Sequence, residues 1–372
     1  MDNKITANTL TFQFPRNSGA ILQAFALEKY LENNGCEVKI IDYWPPYADK
    51  FRWYGAFRKS PSLKSFIQIF STRKLTMEFD RFKKQYMQMT KQCRSIKDIE
   101  KLPLVDIDIV GSDQVWNPYL LGEYNDAYFL NFKTNAIKAS YAASSGQDSF
   151  TDGELEKFAG YLKGFDFISV REESFREKLE EHGVSNVEDH LDPVFLLDRE
   201  DYRKIEQCKI TGPYILVYYQ DPKRMTDNLA LRLSKARGGI PVYRFGKQKD
   251  KNGVIGITHL SVEEFLGLID NAEYVVSSSF HACAFSILFR KQFYAISAGD
   301  RSSRLLSLLN HFHLSDRFVE NEEALKSLEV KDIVYEDHEA YIKEYTEKSK
   351  SYLKLVLDEA RKRKNEVVKG VK

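Results

Sequence analysis

The sequence predicts an α/β protein of two Rossmann-like, doubly wound domains facing a cleft. Short β-rich runs alternate with amphipathic helical stretches along the chain, as in a parallel sheet. Polar residues collect where the strand-like runs end, which is where open parallel sheets hold their ligands. The 372 residues suffice for two cores of ordinary size.

In chain order, Thr9–Phe14 is the first expected strand, followed by the turn Pro15-Arg16-Asn17-Ser18-Gly19. Residues 20–34 put Ile21, Leu22, Phe25, Leu27 and Leu31 largely on one helical face, and Gly35 ends the helix. Val38–Ile41 closes a first β-α-β unit. Residues 50–91 break the rhythm, with eleven Lys or Arg against two acids and nine aromatics between them. They are expected to form a helical insertion. Strands resume at Leu104–Val110, Ile137–Ala142 and Phe167–Val170, each running into a polar loop. The first domain is expected over 1–194 and the second over 195–337, with strands at Tyr214–Tyr219, Pro241–Phe245, Tyr274–Val276 and Gln292–Ile296. Residues 338–372 form a long charged helix with a basic tail, expected to pack back on the first domain.

Composition narrows the function. A net charge of +1 from 55 basic and 54 acidic residues argues against a duplex nucleic-acid binder. Cys36, Cys93, Cys208 and Cys283 have no metal or disulfide spacing and read as reduced thiols. No secretory leader or membrane-spanning run is visible, so a cytoplasmic protein is expected. No G-x-G-x-x-G follows a strand and no P-loop exists. Asp106-Ile107-Asp108 mimics a D-x-D metal motif, but strand alternation gives that spacing by default, and no metal is expected.

The strand-end residues are Asn17 and Gly19; Gly111, Ser112 and Asp113; Ser144 and Ser145; Arg171; Ser277, Ser278 and Ser279; and His281. In Val275-Val276-Ser277-Ser278-Ser279-Phe280-His281, a strand feeds three hydroxyls and then a helix opens. Such a turn offers N–H groups and hydroxyls to a phosphate or carboxylate. His281 in the first turn serves equally as a cap or packing residue.

Several segments recur in a recognisable order. They are Asn17-x-Gly19-Ala20-x-Leu22-Gln23-Ala24-Phe25-Ala26-Leu27, Ile41-Asp42-Tyr43, and Gly111-Ser112-Asp113-Gln114-Val115-Trp116-Asn117. Ser144-Ser145-Gly146, Ser169-Val170-Arg171-Glu172, Leu191-Asp192-Pro193-Val194-Phe195, Ser279-Phe280-His281, Arg301-Ser302-Ser303-Arg304 and Asp316-Arg317 follow. As an ordered set they resemble the polysaccharide pyruvyl transferase family. The resemblance implies a fold like the metal-independent B-type glycosyltransferases. It implies phosphoenolpyruvate as co-substrate, no cofactor, and a saccharide acceptor, lipid-linked where the polysaccharide is built on a membrane carrier. The basic aromatic insertion would suit peripheral contact with such a membrane.

Site roles follow from what that reaction needs. His281 is the expected proton donor or phosphate ligand and Asp113 the base for the sugar hydroxyl, although an Asp here also suits a turn. Arg171, Arg301 and Arg304, with Ser277, Ser278 and Ser279, are expected around the anionic donor. Asn17, Gly19, Ser112, Gln114, Trp116, Asn117, Ser144 and Ser145 are expected on the acceptor side, Trp116 either lining the pocket or lying beneath it. Family members commonly carry an Arg two residues before the second-domain His. Here that position is Ser279, so either Arg301 or Arg304 supplies the charge or the donor is held in another way. A nucleotide-sugar glycosyltransferase and a catalytically inactive binding homologue share the predicted fold.

Overall fold

A computed structural model describes residues 4–51, 63–147, 149–219, 224–246, 253–299 and 302–370. The chain divides into two compact units, Met1–Leu196 with Thr346–Lys372, and Leu197–Tyr345.

The first unit runs β1 (Ile5–Leu10), α1 (Ser18–Asn33), β2 (Cys36–Ile40), α2 (Leu63–Tyr86), β3 (Ile107–Val110) and β4 (Ile137–Ser140). Then come α3 (Asp152–Leu162), β5 (Ile168–Val170), α4 (Glu173–Glu181) and β6 (Val187–Asp189). The sheet order is β2-β1-β3-β4, all parallel. Bridges Ala139–Phe167 and Ala143–Val170 set the parallel β5-β6 pair beside β4. Strands buried on both faces read as continuous apolar runs, as Ile107-Asp108-Ile109-Val110 nearly does.

The first strand lies four residues earlier than expected, ending at Leu10. The alternation Phe12-Gln13-Phe14 imitates a strand, but those rings leave the sheet for an aromatic cluster. Phe12 packs edge-on to Tyr128 at 5.3 Å and Phe14 lies 5.6 Å from Trp44. Helix α1 is capped by Asn17, whose side chain accepts the Gly19 N–H at 3.0 Å. Its one-sided pattern understates its burial, because both of its long faces are covered and even Glu28 is enclosed.

The second unit runs β7 (Ile215–Tyr218), α5 (Arg224–Ala236), β8 (Val242–Phe245), β9 (Val254–Ile257), α6 (Val262–Asp270) and β10 (Tyr274–Ser277). It continues with α7 (Phe280–Leu288), β11 (Gln292–Ile296), α8 (Ser303–His311) and β12 (Phe318–Val319). The order is β12-β11-β10-β7-β8-β9, again all parallel. Strands β6, β9 and β12 were not expected; each has only two to four residues, too few to show a period.

The last helix, α9 (Glu339–Gly370), belongs to the first unit from Thr346 onward. Tyr352, Leu353, Val356, Leu357 and Ala360 are buried along it. The Tyr352 hydroxyl donates to the Ser140 carbonyl at 2.8 Å, and the Leu191 N–H donates to Ser349 Oγ at 3.0 Å. Lys364 reaches Asp106 at 2.8 Å, while Asp108 accepts from Thr134 at the same distance. The D-x-D pair therefore sits at the amino end of β3, away from the strand-end loops, and is held by structural partners. Among the described residues no helix is long and apolar enough to cross a membrane, and no group of His, Cys, Asp or Glu could hold a metal ion.

In each sheet the chain reverses direction of growth once, between β1 and β3 in the first unit and between β7 and β10 in the second. A crevice forms beyond the carboxyl ends at such a reversal.

Glu28 gives the first unit a pH signature. Burial pushes its carboxyl up to about 8, outweighing the Gln88 N–H that donates to it. Between the ordinary glutamate value of about 4.3 and pH 8, the folded chain keeps a proton that the unfolded chain loses. The stability tied to this group is full below about pH 4.3 and drains away as pH rises through 8. Glu28→Gln should therefore melt close to the parent at pH 5 and above it at pH 8.5. Melting curves that stay parallel across that range would show that Glu28 ionises freely in the fold.

Candidate active site

Both reversal points carry the polar loops singled out in the sequence. In the first unit, the loop after β3 holds Asp113 in the left-handed region, at φ 75°, and Ala142 after β4 at φ 49°. Non-glycine residues adopt that region at a cost, so two adjacent strand ends are held there by their surroundings. Asp113 pairs as a parallel bridge with Ala143, and its carbonyl accepts the Ser144 N–H at 3.0 Å. Asp113 Oδ1 accepts the Gln114 N–H at 2.8 Å, and the carboxylate is half-exposed. Its turn role is thus real, and its second oxygen makes no hydrogen bond among the described residues.

Beneath these loops lies a buried polar network. Arg171 Nη1 donates to Asp192 at 3.0 Å, and Ser112 Oγ donates to the same carboxylate oxygen at 3.0 Å. Arg171 Nε lies 3.7 Å from Glu172, which accepts from Ser144 Oγ at 2.5 Å. Ser144 Oγ in turn accepts the Gly146 N–H at 3.0 Å. On the other side, Gln23 donates to Thr11, and Thr11 to the Ser112 carbonyl at 2.6 Å. Burial opposes the charge on Arg171, yet Glu172 and Asp192 together raise its pKa further.

Several sequence expectations change accordingly. The Arg171 side chain is 3% exposed and ion-paired to Asp192, so it ties the loops together from beneath. Ser112, Ser144 and Ser145 are wholly buried, the first two inside the network. Trp116 is buried, stacked 5.4 Å from Phe129, and its indole N–H donates to the Tyr128 carbonyl. It lies beneath the loop and cannot line a pocket. Asn117 Nδ2 donates to Gln114 Oε1 at 2.8 Å while Asn117 Oδ1 caps the turn after it. Gly146 is forced: a Cβ there would lie 2.2 Å from Gln114 Oε1, and φ is 65°. The Asn17 side chain caps α1, with Gly19 buried behind it.

Thr11, Gln13, Gln23, Glu172 and Asp192 had no assigned role in the sequence. The available signal was a polar residue inside an apolar run, as in Phe12-Gln13-Phe14 and Leu22-Gln23-Ala24.

In the second unit, Ser277 Oγ donates to the Tyr218 carbonyl and accepts the Ser279 N–H at 2.9 Å. That hydroxyl locks the turn after β10 against β7. Ser278 and Ser279 make no side-chain hydrogen bond among the described residues, and Ser279 caps α7 by backbone alone. His281 follows in the first turn of α7, 8% exposed, edge-on to Phe280 at 5.2 Å. The neighbouring loop after β11 is tied by Ser302 Oγ, which donates to the Gly299 carbonyl at 2.7 Å and delivers half-buried Arg304 on the first turn of α8. Arg301 lies outside the described residues.

Two parallel α/β sheets, each with polar loops at its reversal point, define a two-unit α/β architecture. UDP-N-acetylglucosamine 2-epimerase from Rickettsia bellii shares the fold, with a TM-score of 0.50 at 11% identity over 96% of this chain and 97% of that one. The Neisseria meningitidis enzyme of the same name gives 0.49 at 10% identity, covering 95% and 99%. The Rickettsia match alone gives the fold as GT-B-like, with two α/β domains. The sequence model of the family described as polysaccharide pyruvyl transferase matches residues 17–300, and the chain belongs to that family. No curated protein sequence matches it. Family membership implies phosphoenolpyruvate-dependent transfer of pyruvate to a saccharide.

Asp192→Ala should leave Arg171 buried beside a single carboxylate and cost about 3–5 kcal/mol, the usual penalty for breaking a buried pair. Urea unfolding of the parent and variant measures it. A loss under about 1 kcal/mol would mean that water reaches the guanidinium.

Proposed function

We propose that the chain builds a pyruvate ketal on two hydroxyls of one sugar, the loops of the second unit holding phosphoenolpyruvate and those of the first holding the acceptor. The supporting observation is that the family match covers both reversal points, and each carries polar groups at its strand ends. Ser278 and Ser279, the N–H groups opening α7, and Arg304 suit the phosphate and carboxylate of the donor. Arg304 takes the charge that family members commonly place where Ser279 stands, and Arg301 joins it in this assignment.

His281 protonates C3 of the enol as C2 gains cationic character. A sugar hydroxyl attacks C2 while Asp113 takes its proton. The bond from C2 to the phosphate oxygen then breaks, inorganic phosphate leaves, and a second hydroxyl of the sugar closes the ketal ring as its proton passes to the departing phosphate. Asn17, Gly19, Gln114 and Asn117 shape the acceptor side, with Ser112, Ser144, Ser145 and Trp116 beneath them as its support. The cation-rich α2 suits an acceptor carried on an anionic membrane face, in a protein working on the cytoplasmic side. Arg52, Trp53, Tyr54, Phe57, Arg58 and Lys59 of that expectation lie outside the described residues.

Phosphate release from phosphoenolpyruvate with a panel of saccharides tests the reaction. A thermal shift given by UDP or GDP sugars, and none by phosphoenolpyruvate, would favour a glycosyltransferase instead. His281→Asn should stay folded by circular dichroism and lose roughly 10²-fold or more in turnover. A folded variant with parental turnover removes His281 from the chemistry. Turnover should also survive excess EDTA, since cations and N–H groups offset the donor charge. Loss with EDTA and recovery with Mg²⁺ or Mn²⁺ would overturn this.

A further inference from the structure

A cavity of about 540 Å³ opens within the first unit, beyond the carboxyl ends of β1 and β2 and against α2. Its size falls in the range of small-molecule sites, roughly 300–1,000 Å³. None of the residues given a catalytic, donor or acceptor role from the sequence lines it, and its walls divide into three chemistries.

The floor is polar. Gln13 is wholly buried and donates through Nε2 to Asp42 Oδ1 at 2.9 Å and to the Tyr43 carbonyl at 3.3 Å. Its amide oxygen, also buried, meets no donor. Buried acceptors are nearly always paired, so an orphan beside an open volume is a place for a ligand hydroxyl. Asp42 adds a half-buried carboxylate acceptor next to it. One side is aromatic: half-buried Trp44 offers an indole face of the kind that takes the apolar face of a sugar ring. The other side is cationic. Arg16, Lys83 and Lys84 line it against Asp80, with Lys83 paired to Asp80 at 2.9 Å and Lys84 exposed. Helix α2 as a whole carries six Lys or Arg against two acids.

We propose that this cavity is an acceptor subsite for a phosphate-bearing saccharide, with a sugar ring on Trp44, hydroxyls on Gln13 and Asp42, and the phosphate against Lys83, Lys84 and Arg16. Its assignment to the acceptor rests on the transferase activity proposed above; its affinity for the ligand does not. The phosphate belongs either to a free sugar phosphate or to a carrier-linked sugar diphosphate, since both present the same group.

Calorimetry on the full chain without phosphoenolpyruvate separates these. A panel of hexose 1-phosphates, the matching free hexoses, inorganic phosphate, and a farnesyl-diphosphate hexose in detergent are titrated in turn. At least one hexose 1-phosphate or farnesyl-diphosphate hexose should bind about tenfold or more tightly than its free hexose, a difference of about 1.4 kcal/mol. Lys84→Glu, at an exposed position that leaves folding intact, should remove most of that advantage, and Asp42→Asn should weaken the free sugar too. Tighter binding of the farnesyl compound names the carrier-linked source, and equal binding names the free one. Inorganic phosphate binding as tightly as every sugar phosphate would reduce the site to general anion attraction and overturn the proposal. So would a panel without any phosphate-dependent gain, or a gain indifferent to Lys84→Glu. A chain that binds as expected but releases no phosphate from phosphoenolpyruvate would instead refute the proposed reaction and leave the subsite standing.

Discussion

The strand-end loops of the first unit hang on one buried cation. Arg171 stands at the end of β5 and ties Asp192, beyond β6, to Ser112 after β3, while Glu172 holds Ser144 after β4. Taking a guanidinium out of water is expensive, and it is tolerable here because two carboxylates and a hydroxyl meet it. The same contacts fix the height and direction of four separate loops, which is what holds Asp113 at its left-handed φ. A hydrophobic substitute of similar volume would fill the space without specifying which loop meets which. The arrangement in the second unit is smaller: one hydroxyl, Ser277, bridges β10 to β7 and so sets the turn that presents Ser278, Ser279 and His281.

Much of this plan was legible in the chain. Helix starts and stops are local events: Asn17 caps α1 through its own side chain, and Gly35 ends it with φ 88°. Parallel strands such as Gln292–Ile296 are apolar runs that identify themselves. The location of the polar loops also follows, because the strand ends dictate it. What the residues in those loops do is a different matter. Ser112 and Asp192 are 80 residues apart, and nothing near either one announces the bond between them. A serine that touches a ligand and a serine sealed in a network look identical until both partners are placed. Hence Ser112, Ser144 and Arg171 were found at the right address, while the network that joins them stayed unread.

The misplaced first strand has a related cause. Alternation of Phe and Gln is the signature of a half-buried strand, but β1 is central in its sheet and needs no such alternation. The true strand, Ile5-Thr6-Ala7-Asn8-Thr9-Leu10, is modest in hydrophobicity and is buried because neighbours flank it on both sides. The aromatic residues that followed it were marking a cluster, whose rings back the wall on which Trp44 stands.

Helix α9 gives the first unit a discontinuous sequence. Its amino-terminal part leaves the ribosome long before Tyr352 and Ser349 exist to cover Ser140 and Leu191. During synthesis that sheet waits with one face uncovered while some 150 residues of the second unit are made. The second unit, continuous in sequence, is free of this delay and has every chance to fold before the first is finished. A premature stop codon just ahead of the codons for α9 would thus injure the unit encoded before the second one.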